Sequence, residues 1–488
     1  MMVGIVRVNA KVKIDNSSQF LSIPVLLTEQ GVIEPLLDYL IAHDSARSHS
    51  WKNRVVFACQ LLLEYMSANQ NLFQAPDLLF SHFVYRLQAG TINDAGEDDS
   101  DLFWLPRRIS NVNQLLSALN QFTDWLSIHR GSEPLNPLVE ATNYQQQLNY
   151  AAWHKRNQHQ FLGHLKSNKQ SDLMKQTRKI RGKRDVIQID SDAISFSENL
   201  FPKFLLCGLG NAKDSRVALR DQLILLLMHG AGVRESDALH LWVHDVLIDN
   251  MDENNALVRL YHPEDGRAPD NWKGRNKQHT RSAYLQELYG LKPRNRLVGT
   301  KRVGWKTKIV DHQDNYIHLH WFPAFYGVLF KKLWLRYLNC LLPIERNHPY
   351  AFISFSRNEM GQPLTLNAFN QGYKAGLVRI GLASSKSQGR SPHAHRHAYG
   401  RRLTKAKLDP ILIKKALHHS SLNSQLVYTT PGIQDVTDAL NAIESINSTG
   451  EKTNVESENW SELLKEAFED IDPDGLFSGK FPRFRVSE

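Results

Sequence analysis

The chain has few cysteines, the residues that build disulfide frameworks and many zinc sites. Its 488 residues include three cysteines, Cys59, Cys207 and Cys340, which lie far apart. This spacing matches neither a zinc site nor a set of disulfides, and it favours a reducing compartment. No stretch approaches the roughly 20 apolar residues of a membrane span, and the N-terminus lacks the apolar core of a signal peptide. We therefore expect no membrane partner and a cytoplasmic location.

Acidic residues are also in deficit over most of the chain. The formal net charge is +9, although residues 451–488 form an acidic tail with ten Asp and Glu against five Lys and Arg. Residues 1–450 therefore carry a net charge of +14, which favours a polyanionic partner such as nucleic acid. Hydrophobic residues make up 42% of the chain, which is enough for packed cores. The length predicts two or three domains.

The N-terminal third shows two different periodicities. Apolar and polar residues alternate in residues 1–28, which predicts strands that either complete the edge of the next domain or touch DNA. Residues 29–165 contain four segments with apolar residues at helical spacing: EPLLDYLIAH, WKNRVVFACQLLLEYM, DLLFSHFVYRL and VNQLLSALNQFTDWL. These segments predict a helical domain, in which Lys52 and Arg54 either reach phosphates or belong to a solvated face.

Residues 166–199 are predicted to be a basic linker. Residues 166–184 hold eight Lys and Arg and one acidic residue. Such blocks are either solvated linkers or phosphate contacts that position a protein on DNA without reading bases. The candidate DNA-binding residues are Lys175, Arg178, Lys179, Arg181, Lys183 and Arg184.

The most informative pattern is an ordered set of cationic residues that ends in a tyrosine. Arg234 lies in GAGVRESDALHL, His393 and Arg396 lie in SPHAHRHAYG, and His419 and Tyr428 lie in ALHHSSLNSQLVYTT. A phenol, with its pKa near ~10, is a poor nucleophile unless a base or nearby cations favour the phenolate. Arginine forks hold phosphate oxygens without a metal, and histidine exchanges protons near neutral pH. The set predicts attack of a tyrosine on a phosphodiester.

These boxes resemble those of the tyrosine recombinase (phage integrase) family, over about residues 200–440. The first box is an arginine with a carboxylate three residues on, the second is His-x-x-Arg-His, and the third places a histidine nine residues before the nucleophile. The residues that carry the resemblance are Arg234, Asp237, His393, Arg396, His397, Leu417, His419 and Tyr428.

The resemblance implies a fold that is mainly α with small β elements. A helical core-binding (SAM-like) domain at residues 29–165 would precede an α+β catalytic domain at residues 200–450. The roles that it implies are phosphate binding by Arg234 and Arg396, acid–base assistance by His393, a hydrogen bond to a nonbridging oxygen from His419, formation of a 3′-phosphotyrosine by Tyr428, and support from Asp237 and His397.

The family also uses a lysine on a β-hairpin, which protonates the leaving 5′-oxygen. The strands of this hairpin are predicted in ALVRLYHP and YIHLHWFP, which a long polar insertion separates. Lys306 in RVGWKTKIV is the first candidate for this role. Lys308 is the second candidate, and Lys273 and Lys277 are more distant ones.

Two positions depart from the family pattern. His395 precedes Arg396 where the family has a buried leucine, and His418 precedes His419 where it has a glycine. These departures, the insertion and the long N-terminal region make the chain resemble the large, divergent recombinases of bacterial mobile elements, such as the gamma-mobile-trio type.

The function that the resemblance implies is integration or excision of a mobile element without metal, ATP or another cofactor. Its partners would be double-stranded DNA at the nucleoid, further copies of the chain in a tetramer on paired sites, and accessory proteins of the same element. Four alternatives remain: a type IB topoisomerase, a telomere resolvase, a catalytically silent DNA-binding regulator, and a metallonuclease built on His393, His395 and His397.

Overall fold

The computed structural model describes residues 4–16, 20–69, 72–73, 75–157, 175–183, 194–248, 254–274 and 278–419. The chain divides into two compact units, Met1–Ile187 and Gln188–Glu488, so the division falls inside the stretch predicted as a linker. Both units are mainly helical with small sheets, which confirms the predicted fold class. Within the described ranges, no helix has the length and apolar character that a membrane crossing needs.

Unit 1 begins with a small antiparallel sheet at the predicted position. In β1, Val8 and Ala10 are half-buried whereas Arg7 and Lys11 are exposed, as the alternation predicts. Ile23, in the neighbouring strand, is fully buried in the same apolar core as the helices, so the sheet packs on the helical domain. The strands, in the order β1-β2-β3, are β1 (Val6–Val12), β2 (Leu21–Thr28) and β3 (Gly31–Val32).

Four helices then form where the apolar spacing predicts them, and a fifth follows. Their periodic apolar residues, such as Val56, Phe80 and Leu119, are buried in one core. Lys52 is buried as well and forms an ion pair with Asp44, so the interpretation as a phosphate contact or a solvated residue was wrong for this side chain. The helices are α1 (Glu34–Ala42), α2 (His49–Ala68), α3 (Pro76–Ala89), α4 (Ile109–Arg130) and α5 (Asn143–Asn157).

Part of the stretch predicted as a linker belongs to unit 1. β4 (Leu138–Glu140) pairs antiparallel with β5 (Gln176–Arg178). Next to this pair, the fully buried amide of Asn136 donates to the carbonyl oxygen of Ile180 at 2.8 Å and accepts from its backbone N–H at 2.8 Å. These bonds satisfy the buried amide and fasten the end of the basic stretch to the helical core.

Unit 2 is built around one helix that is buried over most of its length. In α7, the residues of the run LILLLM are at most 1% exposed, because neighbouring helices cover the helix on several sides. Between the first and second boxes, the segment AFISFSRNEMGQPLTLNAFNQ resembles a strand and a helix of the family. Its helix is present, whereas in place of the strand there is an isolated bridge between Ile353 and Pro363. The helices are α6 (Phe201–Lys203, continued by a π-helical turn at Phe204–Leu209), α7 (Ser215–Gly230), α8 (Glu235–Ala238), α9 (Arg281–Tyr289), α10 (Phe325–Leu341), α11 (Leu366–Arg379), α12 (Pro392–Lys405) and α13 (Pro410–Ala416).

The predicted hairpin is present, and its insertion is packed against the unit. The antiparallel strands are β6 (Val246–Ile248), β7 (Ala256–Tyr261) and β8 (Tyr316–His318), in that order. In the insertion between β7 and β8, Arg281 forms a buried ion pair with Asp245 and lies 4.0 Å from the ring centroid of Trp242. Arg294, also buried, donates to the carbonyl oxygen of Leu239 at 3.0 Å. Two arginines thus anchor the polar insertion.

Candidate active site

The predicted nucleophile, Tyr428, lies outside the described residues, as do Lys277 and Arg184. The remaining candidates for the chemistry lie in the described part of unit 2. They are Arg234, Asp237, Lys306, His393, Arg396, His397 and His419.

Arg234 is presented by a tight turn after α7. Gly232 has φ of 67°, in the left-handed region that favours glycine. A Cβ on Gly232 would lie 2.4 Å from Cδ1 of Tyr399 on α12, so the turn and that helix approach as closely as glycine allows. Arg234 then caps the start of α8, and its Nη1 donates to Oγ1 of Thr307 at 2.8 Å.

Asp237 joins this turn to the segment that contains Lys306. Its carboxylate is fully buried; it accepts from the backbone N–H of Lys306 at 3.0 Å and from Oγ1 of Thr307 at 2.7 Å. It also lies 3.8 Å from Nη1 of Arg234. One buried carboxylate therefore sets the position of both a cationic side chain and the backbone of a candidate proton donor.

Lys306 lies in the last part of the insertion, between Val303 and Val310, where the chain is neither helix nor strand. Its side chain is exposed, and its charge acts on His393, which places it beside the site. Lys308 and Lys273 are exposed as well, and neither is among the charges that act on His393 or His419.

Arg396 is buried on α12, with 3% of its surface exposed. Its guanidinium group donates to the carbonyl oxygens of Gly232 and Leu417. These two acceptors belong to the turn before Arg234 and to the end of α13, just before His419. Arg396 therefore draws three segments that are distant in the sequence to one place.

The two predicted histidines, His393 on α12 and His419 after α13, are both affected by the charges of the arginines. Desolvation, and then the charges of Arg396 and Arg234, lower the pKa of His393 to about 4, although this residue keeps an exposed surface. Burial and the same two arginines lower the pKa of His419 to about 3. The charges of both arginines act on both rings, and the lowered pKa values keep both imidazoles neutral at pH 7.

His397 lies next to this group and contacts it through a ring. Its ring centroid is 4.5 Å from that of His393, in an edge-to-face arrangement. Burial and the neighbouring His393 and Arg396 lower the pKa of His397 to about 3. The ring therefore packs against His393 as a neutral group.

His395 points away from the other histidines of its motif, into the core. Its Nε2 lies 2.9 Å from Oη of Tyr373, and its Nδ1 lies 3.1 Å from Nδ1 of His229 on α7. His229 in turn contacts Glu198, which accepts a hydrogen bond from Arg402 at 2.7 Å. His395, which stands where the family has a buried leucine, is therefore held by a network of polar side chains. In the described part of the chain, no three His, Cys, Asp or Glu side chains form a group that could hold a metal ion.

The motifs did not point to several residues that shape the site. Thr307 bridges Arg234 and Asp237, and only its place beside Lys306 distinguishes it in the sequence. His229 lies in the apolar helix α7, where a buried histidine requires a polar partner, and this requirement was an available signal. No sequence signal identified that partner as His395.

The candidate DNA-binding residues differ in their surroundings. Arg178 forms an ion pair with Asp124, and Lys179 forms one with Asp77, so both cations have acidic partners within unit 1. The side chains of Lys175, Arg181 and Lys183 are exposed.

Comparisons with known proteins give a limited result. No protein-family model and no curated protein match the chain. Among solved structures, the chain is similar to the XerH site-specific recombinase bound to palindromic difH substrate, at 15% identity and a TM-score of 0.43 over 80% of this chain and 79% of that chain. It is also similar to the Tn1549 transposon integrase in complex with a circular intermediate DNA, at 13% identity and a TM-score of 0.33 over 79% of this chain and 99% of that chain.

Proposed function

We propose that this protein is a tyrosine-type site-specific DNA recombinase, which cuts and rejoins DNA without metal or ATP. The observation that carries the proposal is that Arg396 donates to the carbonyl oxygens of Gly232 and Leu417, which joins the turn before Arg234 to the segment before His419. Arginines and neutral imidazoles brought together in this way suit a phosphodiester, whose equatorial oxygens gain charge during attack.

The low pKa values of the two histidines belong to the site without an anion. A bound phosphodiester brings a negative charge, which favours the protonated imidazole and raises both values. His393 can then accept a proton from an attacking hydroxyl near neutral pH. His419 donates a hydrogen bond to a nonbridging oxygen, and the arginines hold the phosphate.

Tyr428, nine residues after His419 in the sequence, supplies the nucleophile. Its hydroxyl oxygen attacks phosphorus and loses its proton, while the bond from phosphorus to the 5′-oxygen breaks. Lys306 donates the proton that the leaving 5′-oxygen takes up. The resulting 3′-phosphotyrosine conserves the energy of the phosphodiester bond, so a second 5′-hydroxyl can reverse the step.

Double-stranded DNA is the proposed partner of both units. In unit 1, Lys175, Arg181 and Lys183 would contact backbone phosphates without reading bases. Strand exchange requires paired sites, and we therefore propose a tetramer on DNA. We further propose that the protein integrates or excises a bacterial mobile element of the gamma-mobile-trio kind, with accessory proteins of that element, in the cytoplasm at the nucleoid.

The direct test is replacement of the nucleophile by Tyr428→Phe. The full chain is incubated in EDTA with DNA from either side of its own reading frame, and protein–DNA adducts that survive SDS are counted. We expect the wild type to form an adduct, and the variant to bind DNA with the same Kd but to form none. Tyr144→Phe removes the hydroxyl of an exposed tyrosine in α5 and should leave the adduct unchanged.

A different nucleophile and three of the alternative functions would each give a distinct result. Cleavage by Tyr428→Phe would show that another group attacks the phosphate. Wild-type cleavage that EDTA abolishes would indicate a metallonuclease. Relaxation of supercoiled DNA without paired sites would indicate a topoisomerase, and wild-type binding without any adduct would indicate a regulator.

A further inference from the structure

His418 occupies a backbone position that normally belongs to glycine. Its φ is 52°, in the left-handed region that a Cβ disfavours. The backbone N–H of His418 donates to the carbonyl oxygen of Lys415, and that of His419 donates to Lys414, both at 3.0 Å. This pair of hydrogen bonds is the Schellman ending of a helix, in which the residue at this position is most often glycine. A histidine at this position therefore requires an additional interaction that stabilises the left-handed conformation.

Asp311 provides that hold. Its Oδ2 accepts from Nε2 of His418 at 2.9 Å, and the two side chains are only 16% and 4% exposed. The same oxygen accepts from the backbone N–H of His318 at 2.8 Å, so the carboxylate is fixed to β8. Burial raises the pKa of Asp311, but the hydrogen bonds from His418 and His318 outweigh it and keep the pKa below its ordinary value.

The pair lies between two parts of the site. Asp311 follows Lys306 in the last part of the insertion, and His418 directly precedes His419. On the other side of His418, the carbonyl oxygen of Leu417 accepts from Arg396. A change in the backbone at His418 would therefore change where His419 points relative to the arginine.

We propose that Asp311 and His418 are positioning residues, which hold the end of α13 in the left-handed conformation and thereby direct the His419 ring into the site. This inference rests on the proposed function, because His419 acts there on the phosphate. It also makes the insertion part of the catalytic apparatus, since the insertion supplies Asp311.

Four variants separate the anchor from the backbone conformation. His418→Ala keeps the Cβ and loses the anchor, and Asp311→Ala removes the anchor from the other side. His418→Gly adopts the same φ without an anchor, and the double variant His418→Gly with Asp311→Ala tests whether the carboxylate matters once glycine is present. His312→Ala, which breaks a more exposed His–Asp pair at 3.3 Å in the same segment, is the matched control.

The readouts are the single-turnover rate of adduct formation and the Kd for DNA. We expect His418→Ala and Asp311→Ala to slow the adduct about tenfold to a hundredfold, as small misplacements of reacting groups do, with Kd unchanged. His418→Gly should restore most of the rate, and Asp311→Ala should have no further effect in that background. His312→Ala should react at the wild-type rate.

Two results would overturn the inference. One is adduct formation at the wild-type rate by both His418→Ala and Asp311→Ala, and the other is a His418→Gly variant as slow as His418→Ala. If His418→Ala fails to fold, Asp311→Asn takes its place, because it keeps the side-chain size and removes the charge. If the wild type forms no adduct, the proposed function is refuted instead. Urea unfolding of the same variants then tests whether Asp311 holds His418. Additive effects of the two substitutions on the free energy of unfolding would show that it does not.

Discussion

Acid should unfold unit 2 over a narrow pH range, because the unit buries several histidines in the neutral state. In four of these histidines the pKa is lowered from its ordinary value of 6.5 to about 3 or about 4, and burial is the largest cause. These four histidines are His229, His240, His348 and His419, none more than 6% exposed.

The sign and size of the effect follow from proton linkage. A folded pKa below the unfolded value means that stability is complete above pH 6.5 and falls as the pH drops towards 4, because only the unfolded chain takes up protons. At pH 5 each buried ring then lowers the free energy of unfolding by about 2 kcal/mol, since the ring is almost fully protonated in the unfolded chain and neutral in the folded one. The four rings together cost about 8 kcal/mol, which is comparable with the stability of a whole domain.

His240 offers a clean test of one ring. It is 1% exposed, and its Nε2 lies 3.1 Å from the carbonyl oxygen of Val303. His240→Gln keeps a donor for that carbonyl and removes the titration. Urea unfolding at pH 7.5 and at pH 5.0, followed by tryptophan fluorescence, should show that the variant loses about 2 kcal/mol less than the wild type between the two pH values.

His244 provides the control for the test at His240. His244→Gln removes an exposed histidine from the same segment and should leave the loss on acidification unchanged. If His240→Gln and the wild type lose the same free energy between pH 7.5 and pH 5.0, the linkage argument is refuted.

Three further substitutions test the frame of the site. Gly232→Ala should destabilise unit 2 by about 2 kcal/mol or more in urea unfolding, because its φ is 67° and its Cβ would meet Tyr399; unchanged stability would contradict the close approach. Thr307→Val should slow adduct formation with DNA affinity unchanged, because Asp237 loses a donor; equal rates would argue against this bridge. His395→Leu should lower the free energy of unfolding by about 1–3 kcal/mol for each buried partner of the ring that is left without a hydrogen bond; a variant as stable as the wild type would show that this network does not stabilise the unit.

Periodicity in the sequence predicted the elements that local chemistry determines. The helices α1 to α4 of unit 1, the strands β1 and β2, and the hairpin strands around the insertion all lie where the apolar patterns place them. The resemblance of the segment AFISFSRNEMGQPLTLNAFNQ implied a strand and a helix, but Ile353 forms an isolated bridge to Pro363 in place of the strand. Pairing depends on distant segments, which a local pattern does not contain.

The candidate site was predictable in its residue types but not in its bonds. The spacing of the motifs selected Arg234, Arg396 and the histidines, but the bond from Asp237 to the backbone of Lys306 joins residues 69 positions apart. The contact of His229 with His395 spans 166 positions. Such contacts depend on how helices pack, and a single sequence contains no record of it.

The insertion between β7 and β8 restricts how far this protein can be trimmed. Arg281 and Arg294 fasten its first part to the unit, and its last part delivers Lys306 and Asp311 to the neighbourhood of the histidines. A shorter variant obtained by joining β7 directly to β8 would lose the candidate proton donor together with the polar frame around it. Shortening should therefore spare both arginine anchors and everything from Val303 onward.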